Sequence, residues 1–83
     1  MEAEVAFGVV LRKLRHERGL SQETLALDAD LQRNYISLLE RGLNSASLKT
    51  IFKLATALQI SATDFIGMVE IEAHRVARPR NRR

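Results

Sequence analysis

Residues 20–42 read LSQETLALDADLQRNYISLLERG. Ser21 is a residue type that caps helix N-termini, and the leucines around it, Leu20 and Leu25, have the spacing of a hydrophobic staple. The same spacing returns eleven residues later around Gln32. This repeated start signal predicts two short helices joined by a tight turn, which are the components of a helix-turn-helix. We expect these helices over residues 21–28 and 33–41.

Helical periodicity continues on both sides of this stretch. On its N-terminal side, apolar residues recur at helical spacing and predict a first helix over about residues 4–18. On its C-terminal side, Ser47 caps a fourth helix and Ser61 caps a fifth, which is expected to end near residue 73. No segment alternates apolar and polar residues as a strand would. The sequence therefore predicts an all-α fold, a compact five-helix bundle.

The composition predicts one small soluble domain. The chain has 83 residues, of which 46% are hydrophobic, with one proline and no cysteine. Such a chain can bury a core, but without cysteine it forms neither disulfides nor thiolate zinc sites. No apolar run approaches the roughly 20 residues of a membrane-spanning helix, and Glu2 and Glu4 stand where a secretory signal carries positive charge. We therefore expect a cytoplasmic protein with no membrane segment.

The sequence carries no pattern typical of an enzyme. It has no glycine-rich phosphate loop and no nucleophile motif, and His16 and His74 lie far apart with no other His or Cys nearby. We therefore expect no catalytic residues, no metal, no cofactor and no small-molecule substrate.

The positive charge is concentrated at the C-terminal end. Five arginines and no acidic residue lie in residues 75–83, which leaves eight Lys or Arg against ten Asp or Glu in residues 1–74. The net charge of +3 is thus +5 from the end and −2 from the rest. We predict a helix-turn-helix domain over residues 1–73 and a basic, disordered tail over residues 74–83. The tail is most simply a solvated end, and its functional alternative is attraction to phosphate.

Three segments resemble the bacterial and phage helix-turn-helix family of the Xre, Cro and phage-repressor type. They are LSQETLA, NYISLLERG and SLKTIFKLATALQIS, and the resemblance extends over about residues 10–66. The family has Gly where this chain has Asp30 and Gln59, Ser or Thr where it has Gln32, and Pro where it has Ala46. Asp tolerates the left-handed backbone conformation, so we expect the turn at Asp30 to be kept. The resemblance implies a lambda-repressor-like DNA-binding bundle.

The resemblance also implies that the second helix of the motif, the recognition helix, lies in the major groove and reads bases with its N-terminal residues. Arg33 can donate two hydrogen bonds to guanine, Asn34 can pair with adenine, and Leu38 can rest against a thymine methyl. Gln32 can cap the helix or reach a base. The alternative for Arg33 and Asn34 is a solvated helix face. The predicted base-reading residues are Gln32, Arg33, Asn34, Ser37 and Leu38.

Other polar residues are placed to contact the DNA backbone. Ser21 and Gln22 lie at the positive end of a helix, where exposed N–H groups favour an anion. A second donor-rich stretch precedes the fourth helix. Tyr35 either packs against the protein or donates to a phosphate. The predicted phosphate contacts are Ser21, Gln22, Tyr35, Arg41, Asn44, Ser45, Ser47 and Lys49.

Two structural features are implied by the resemblance. Family members join an Arg near the end of the first helix to the Glu that ends the recognition helix, which implies an ion pair between Arg15 and Glu40. Family members of this size also dimerise through their last helix, which here carries more apolar residues than a four-helix core needs. The alternative is that these apolar residues complete the monomer core. The predicted dimer interface is Phe65, Ile66, Met68 and Val69.

The function implied by the resemblance is sequence-specific binding of double-stranded DNA by a homodimer at a two-fold symmetric operator, regulating transcription as a repressor or an activator. The run DLQRNYISLLERG in residues 30–42 is similar to controller proteins of restriction-modification systems. A second hypothesis is an antitoxin-like or other protein-binding module, in which the last helix or the tail holds a partner protein.

Overall fold

Five helices make up residues 1–77, the part of the chain that the computed structural model describes. These residues contain no strand, and the predicted all-α fold is confirmed. The first three helices differ from their predicted bounds by one residue at most. The helices are α1 (Ala3–Glu17), α2 (Gln22–Ala29), α3 (Arg33–Glu40), α4 (Leu48–Ala57) and α5 (Ala62–Ala77).

Serine side chains begin three of the helices. The hydroxyl oxygens of Ser21, Ser47 and Ser61 each accept a hydrogen bond from the backbone N–H three residues on, at 3.0, 3.1 and 3.0 Å. These bonds satisfy N–H groups that have no partner inside the helix, so the predicted caps are confirmed. In contrast, Gln32, the residue just before α3, has an extended backbone and makes no side-chain cap bond. The Gln32 amide is therefore available to other partners.

Asp30 makes the turn between α2 and α3 in the left-handed conformation, with φ 57° and ψ 49°. The N–H of Leu31 donates back to the carbonyl of Ala26 at 2.8 Å, which ends α2 and turns the chain toward α3. Asp adopts this conformation at lower cost than most residues, and the predicted turn is confirmed. Gln59 follows α4 in the same conformation, at φ 58°.

The core packs α5 against α1 and α4, while α3 lies against α1 and α2. Phe65 of α5 is 0% exposed, and its ring stacks on Phe7 of α1 with the centroids 5.1 Å apart. Ile36 and Leu39 of α3 are also fully buried. Because these two residues hold one side of α3 on the core, the opposite side of α3 faces outward.

The fifth helix is longer than predicted. The sequence predicts an end near residue 73, but α5 continues to Ala77, so the start of the predicted tail is wrong. Arg75 donates to Glu72 at 2.9 Å, and positive charge in the last turn stabilises a helix C-terminus. The rest of the predicted tail, residues 78–83, lies outside the described residues.

No single helix within residues 1–77 is long and apolar enough to cross a membrane. The helices α4 and α5 reach the necessary length and composition only when taken together, and a bend of 106° separates them. Leu54 of α4 and Phe65 of α5 are both buried in the protein core.

Replacing Phe65 by Ala should cost about 3–5 kcal/mol of unfolding free energy, because the change empties the centre of the core. Ile71 on the same helix is 67% exposed, so Ile71→Ala should change stability by about 0.5 kcal/mol or less. Urea denaturation of the two variants measures both values. Similar costs for the two substitutions would contradict the placement of Phe65 in the core.

Candidate nucleic-acid interface

The N-terminal end of α3 presents three adjacent polar side chains to solvent. Gln32, Arg33 and Asn34 are all exposed. A guanidinium and two amides in this position have the donors and acceptors that match base edges in the major groove. Ser37 and Leu38, the other two predicted base-reading residues, are half-buried. We call Gln32, Arg33 and Asn34 the reading cluster.

Tyr35 lies next to the reading cluster. It is half-buried and packs against the hydrophobic core, in agreement with the packing alternative for this residue. Close packing of a ring at this point restricts how the first turn of α3 can move. Tyr35 therefore supports the reading cluster from the protein side.

A buried ion pair fastens the other end of α3. Arg15 Nε donates to Glu40 Oε2 at 2.6 Å, and Arg15 Nη2 donates to Glu40 Oε1 at 3.0 Å. The two side chains are 9% and 3% exposed. Gln22 Nε2 also donates to Glu40 Oε1, at 3.0 Å, and Arg15 Nη1 donates to the carbonyl of Leu20 at 2.8 Å. The pair implied by the resemblance is present, and it joins α1 to the start of α2 as well as to the end of α3.

Two opposing effects act on the pKa of the Glu40 carboxyl. Burial raises this pKa, because a carboxylate is poorly solvated inside the protein. The hydrogen bonds from Arg15 and Gln22, and the positive charges of Arg15 and Arg12, lower it. The lowering effects together exceed the effect of burial, so the pKa of Glu40 lies below its ordinary value. Glu40 is therefore an ionised group inside the protein at neutral pH.

Six of the eight predicted phosphate contacts form two groups, while Tyr35 and Arg41 belong to α3 and its C-terminal cap. Ser21 and Gln22 lie at the N-terminus of α2, and the loop before α4 carries Asn44, with Lys49 in the first turn of that helix. Asn44 and Lys49 are exposed. One N–H of the Gln22 side-chain amide donates to Glu40, which leaves the second amide N–H and the backbone N–H of Gln22 as donors to a phosphate.

Five of the predicted phosphate contacts make side-chain hydrogen bonds within the protein, namely Ser21, Gln22, Arg41, Ser45 and Ser47. The Ser45 hydroxyl donates to Glu4 Oε2 at 2.9 Å, and Arg41 Nε donates to the carbonyl of Ser37 at 3.4 Å. A backbone hydrogen bond and then the Ser45 hydroxyl lower the pKa of the Glu4 carboxyl, which keeps it charged. A phosphate at Ser45 would therefore meet a carboxylate. Ser45 is the predicted phosphate contact that the structure favours least.

The four predicted dimer residues do not share one surface. Phe65 has no exposed surface to offer a second chain, so its prediction as an interface residue is wrong. Ile66 and Val69 line a groove of about 280 Å³ beside α1 and α4. Met68 lines a different groove, of about 320 Å³, on the other flank of α5. The sequence shows that all four residues are apolar. Helical periodicity alone does not tell which of them lies in the core and which lies in each of the two grooves.

Comparison with known proteins agrees with this geometry. Residues 11–65 match the HTH_3 family model, described as Helix-turn-helix. The chain belongs to this helix-turn-helix family. Control protein C.BamHI of Bacillus amyloliquefaciens is 39% identical to it over 66 residues, which cover 78% of this chain and 82% of that protein.

Two solved structures are similar to this helix-turn-helix protein. The restriction-modification controller protein C.AhdI from Aeromonas hydrophila has 50% identity and a TM-score of 0.73, over 75% of this chain and 94% of that one. The controller C.Esp1396I, solved as a tetramer in complex with its natural 35 base-pair operator, has 30% identity and a TM-score of 0.79, over 87% and 95% of the two chains.

Membership of the family decides the class of function. As a helix-turn-helix protein, the chain is a DNA-binding regulator of transcription and not an enzyme. Within residues 1–77, no group of three or more His, Cys, Asp or Glu side chains is arranged to hold a metal ion.

Arg15→Ala should destabilise the helix-turn-helix by about 3–5 kcal/mol, because it leaves the Glu40 carboxylate buried without its main partner. Arg12→Ala removes an exposed guanidinium from the same helix and should cost about 1 kcal/mol or less. Urea denaturation at neutral pH compares the two variants. Equal costs would show that the ion pair does not hold α3.

The cost of Arg15→Ala should also depend on pH. In the wild-type protein, the lowered pKa of Glu40 stabilises the fold above the unfolded-state pKa of about 4.3, and this stability is lost as pH falls through the folded-state pKa. In the variant, burial dominates, so protonation of Glu40 removes an unpaired charge. The difference in unfolding free energy should therefore shrink as the solution is acidified. A difference that stays constant would mean that Glu40 is not the carboxyl responsible.

Proposed function

We propose that this protein is a restriction-modification controller that binds a two-fold symmetric DNA operator as a homodimer in the cytoplasm. The observation that carries the proposal is the exposed reading cluster at one end of α3, together with the buried ion pair that holds the other end. A recognition helix in the major groove brings its N-terminal residues to the base edges first. The names of C.BamHI and C.AhdI, a control protein and a restriction-modification controller, support the subclass.

The reading cluster supplies the sequence preference in this proposal. Arg33 donates two hydrogen bonds to a guanine, and Asn34 pairs with an adenine. Each such bidentate pair contributes about 1–3 kcal/mol of discrimination between bases. Gln32 makes no cap bond, so its amide is available to a neighbouring base. Leu38 is half-buried and contributes through contact with a thymine methyl.

Backbone contacts position the duplex on this cluster. The N–H groups at the start of α2 receive one phosphate, and Asn44 and Lys49 receive another. Residues 1–74 carry a net charge of −2, so attraction between a broad basic face and DNA does not assist them. The register of the protein on DNA therefore depends on these few contacts.

The proposed dimer surface lies on α4 and α5. Ile51, Ile66 and Val69 line the same apolar groove, and Leu48, which lies three residues before Ile51 on the same side of α4, is exposed. A contiguous apolar surface of this kind favours a protein partner. To bind two half-sites one turn of DNA apart, a two-fold dimer formed through this surface has to present its recognition helices about 34 Å apart. The C.Esp1396I tetramer on its operator supports assembly of such a fold on DNA.

Selection from random duplexes with the purified protein tests the DNA-reading proposal. We expect enrichment of a two-fold symmetric site whose half-sites are about one helical turn apart. Arg33→Ala should lose the preference for one base in each half-site, with a cost of about 1–3 kcal/mol for each contact. Lys49→Ala should instead weaken binding to all duplexes alike and reduce the salt dependence by about one phosphate per subunit. Absence of any enriched sequence would overturn the proposal.

The dimer surface is tested by placing a charge on each flank of α5. Ile66→Glu should convert the dimer to a monomer, because a carboxylate would enter an apolar contact. Ile71→Glu, on the opposite flank, is the matched control and should remain a dimer. Sedimentation equilibrium measures the mass, and circular dichroism checks that both variants fold. Dissociation of the Ile71→Glu variant alone would move the dimer surface to the groove beside Met68.

A further inference from the structure

The backbones of α1 and α3 approach each other closely at Gly8. A Cβ atom at this position would lie 2.5 Å from the carbonyl oxygen of Leu39 and 2.6 Å from that of Glu40. Real Cβ atoms essentially never come within 3.0 Å of such a neighbour, so a side chain does not fit in this space. The hydrogen that Gly8 carries in place of a side chain points at the last carbonyl groups of α3.

This approach is made at the same end of α3 as the ion pair. Gly8 and Arg15 are seven residues apart on α1, which is about two helical turns, so they share one face of the helix. Gly8 meets the backbone of Glu40, and Arg15 binds its side chain. Just beyond α3, a Cβ on Gly42 would lie 3.1 Å from the side chain of Val5. The helix α1 thus sets both the distance and the direction of the C-terminal end of α3.

We propose that Gly8 is a positioning residue for DNA reading, because its missing side chain lets α3 lie at the depth that brings the reading cluster to the base edges. The inference rests on the proposed function, since it concerns recognition of DNA by α3. A methyl group at Gly8 would force the two carbonyl oxygens to move by about 0.5 Å or more. Binding sites need their groups held within about 0.5 Å of the productive geometry. Because Arg15 still binds the Glu40 carboxylate, the methyl group tilts α3 about this pair.

The chain offers a matched control for this contact. Gly67 lies within α5, and a Cβ at Gly67 would have no atom within 4 Å. Ala favours the helical conformation more than Gly, so Gly67→Ala should stabilise the fold slightly. The same preference acts at Gly8, where the steric clash opposes it. The difference between the two substitutions therefore reports the contact with α3.

The test compares the wild-type protein, Gly8→Ala and Gly67→Ala on two duplexes of equal length, the site that the wild type selects and an unrelated sequence. We expect Gly8→Ala to fold, to lose about tenfold or more in affinity for the selected site, and to bind the unrelated duplex within about twofold of the wild type. Phosphate contacts carry no sequence information, which is why the unrelated duplex is expected to be insensitive. We expect Gly67→Ala to bind both duplexes as the wild type does.

A measurement without DNA examines the geometry directly. The amide resonances of Arg33, Asn34 and Tyr35 should shift in Gly8→Ala and should stay in place in Gly67→Ala. Unchanged resonances at the start of α3 in Gly8→Ala would overturn the inference, because the methyl group would then not have moved the reading cluster.

The other outcomes also decide the matter. Unchanged discrimination by Gly8→Ala, or an equal loss on both duplexes, would overturn a positioning role. If Gly8→Ala does not fold, the double variant with Gly67→Ala is tested, because alanine in α5 favours the helix. Failure of the double variant to fold would make Gly8 a structural residue only. A wild-type protein that selects no sequence would overturn the proposed function itself, before any variant is compared.

Discussion

The buried carboxylate of Glu40 is the group on which the arrangement of the DNA-reading motif depends. It ends α3 and receives hydrogen bonds from Arg15 of α1 and Gln22 of α2, so one charge connects three helices. A buried ion pair is in itself a weak source of stability, because the loss of hydration offsets the attraction. Its effect is on geometry. An arrangement of these helices that separates the donors from the carboxylate leaves a buried charge unpaired, which costs far more than the pair contributes.

The two helices of the motif need such a constraint because each has only eight residues. Isolated helices of that length are unstable in water, so α2 and α3 form only where the rest of the protein packs on them. Buried apolar residues such as Leu25 of α2 and Ile36 and Leu39 of α3 contribute to that stability, but hydrophobic burial has no direction and tolerates small rotations. The hydrogen bonds to Glu40 depend on direction, and the energy of the close contact at Gly8 changes steeply with distance. Stability and orientation of α3 therefore come from different interactions.

Local signals predict most of this fold, because the serine caps and the turn at Asp30 depend on residues only a few positions apart. The exposure of the reading cluster likewise follows once helical periodicity places Ile36 in the core. The end of α5 is mispredicted, because the arginines of residues 75–83 indicate a tail whereas the helix continues to Ala77 and includes an ion pair between Glu72 and Arg75. The bonds of Gln22 to Glu40 and of Ser45 to Glu4 join residues 18 and 41 positions apart. Periodicity and capping rules carry no information about such distant partners.

In the proposed assembly, base contacts and the pairing of subunits carry the binding of DNA by residues 1–74. Residues 1–74 have a net charge of −2, so these residues lack the general attraction to phosphate that a basic protein has. One recognition helix with two bidentate contacts gains only about 2–6 kcal/mol over competing sequences. A two-fold dimer doubles the base and phosphate contacts without any new side chain, and joins them so that the second half-site is bound at high effective concentration. The apolar face of α4 and α5 is, in that arrangement, as much a part of DNA recognition as α3 itself.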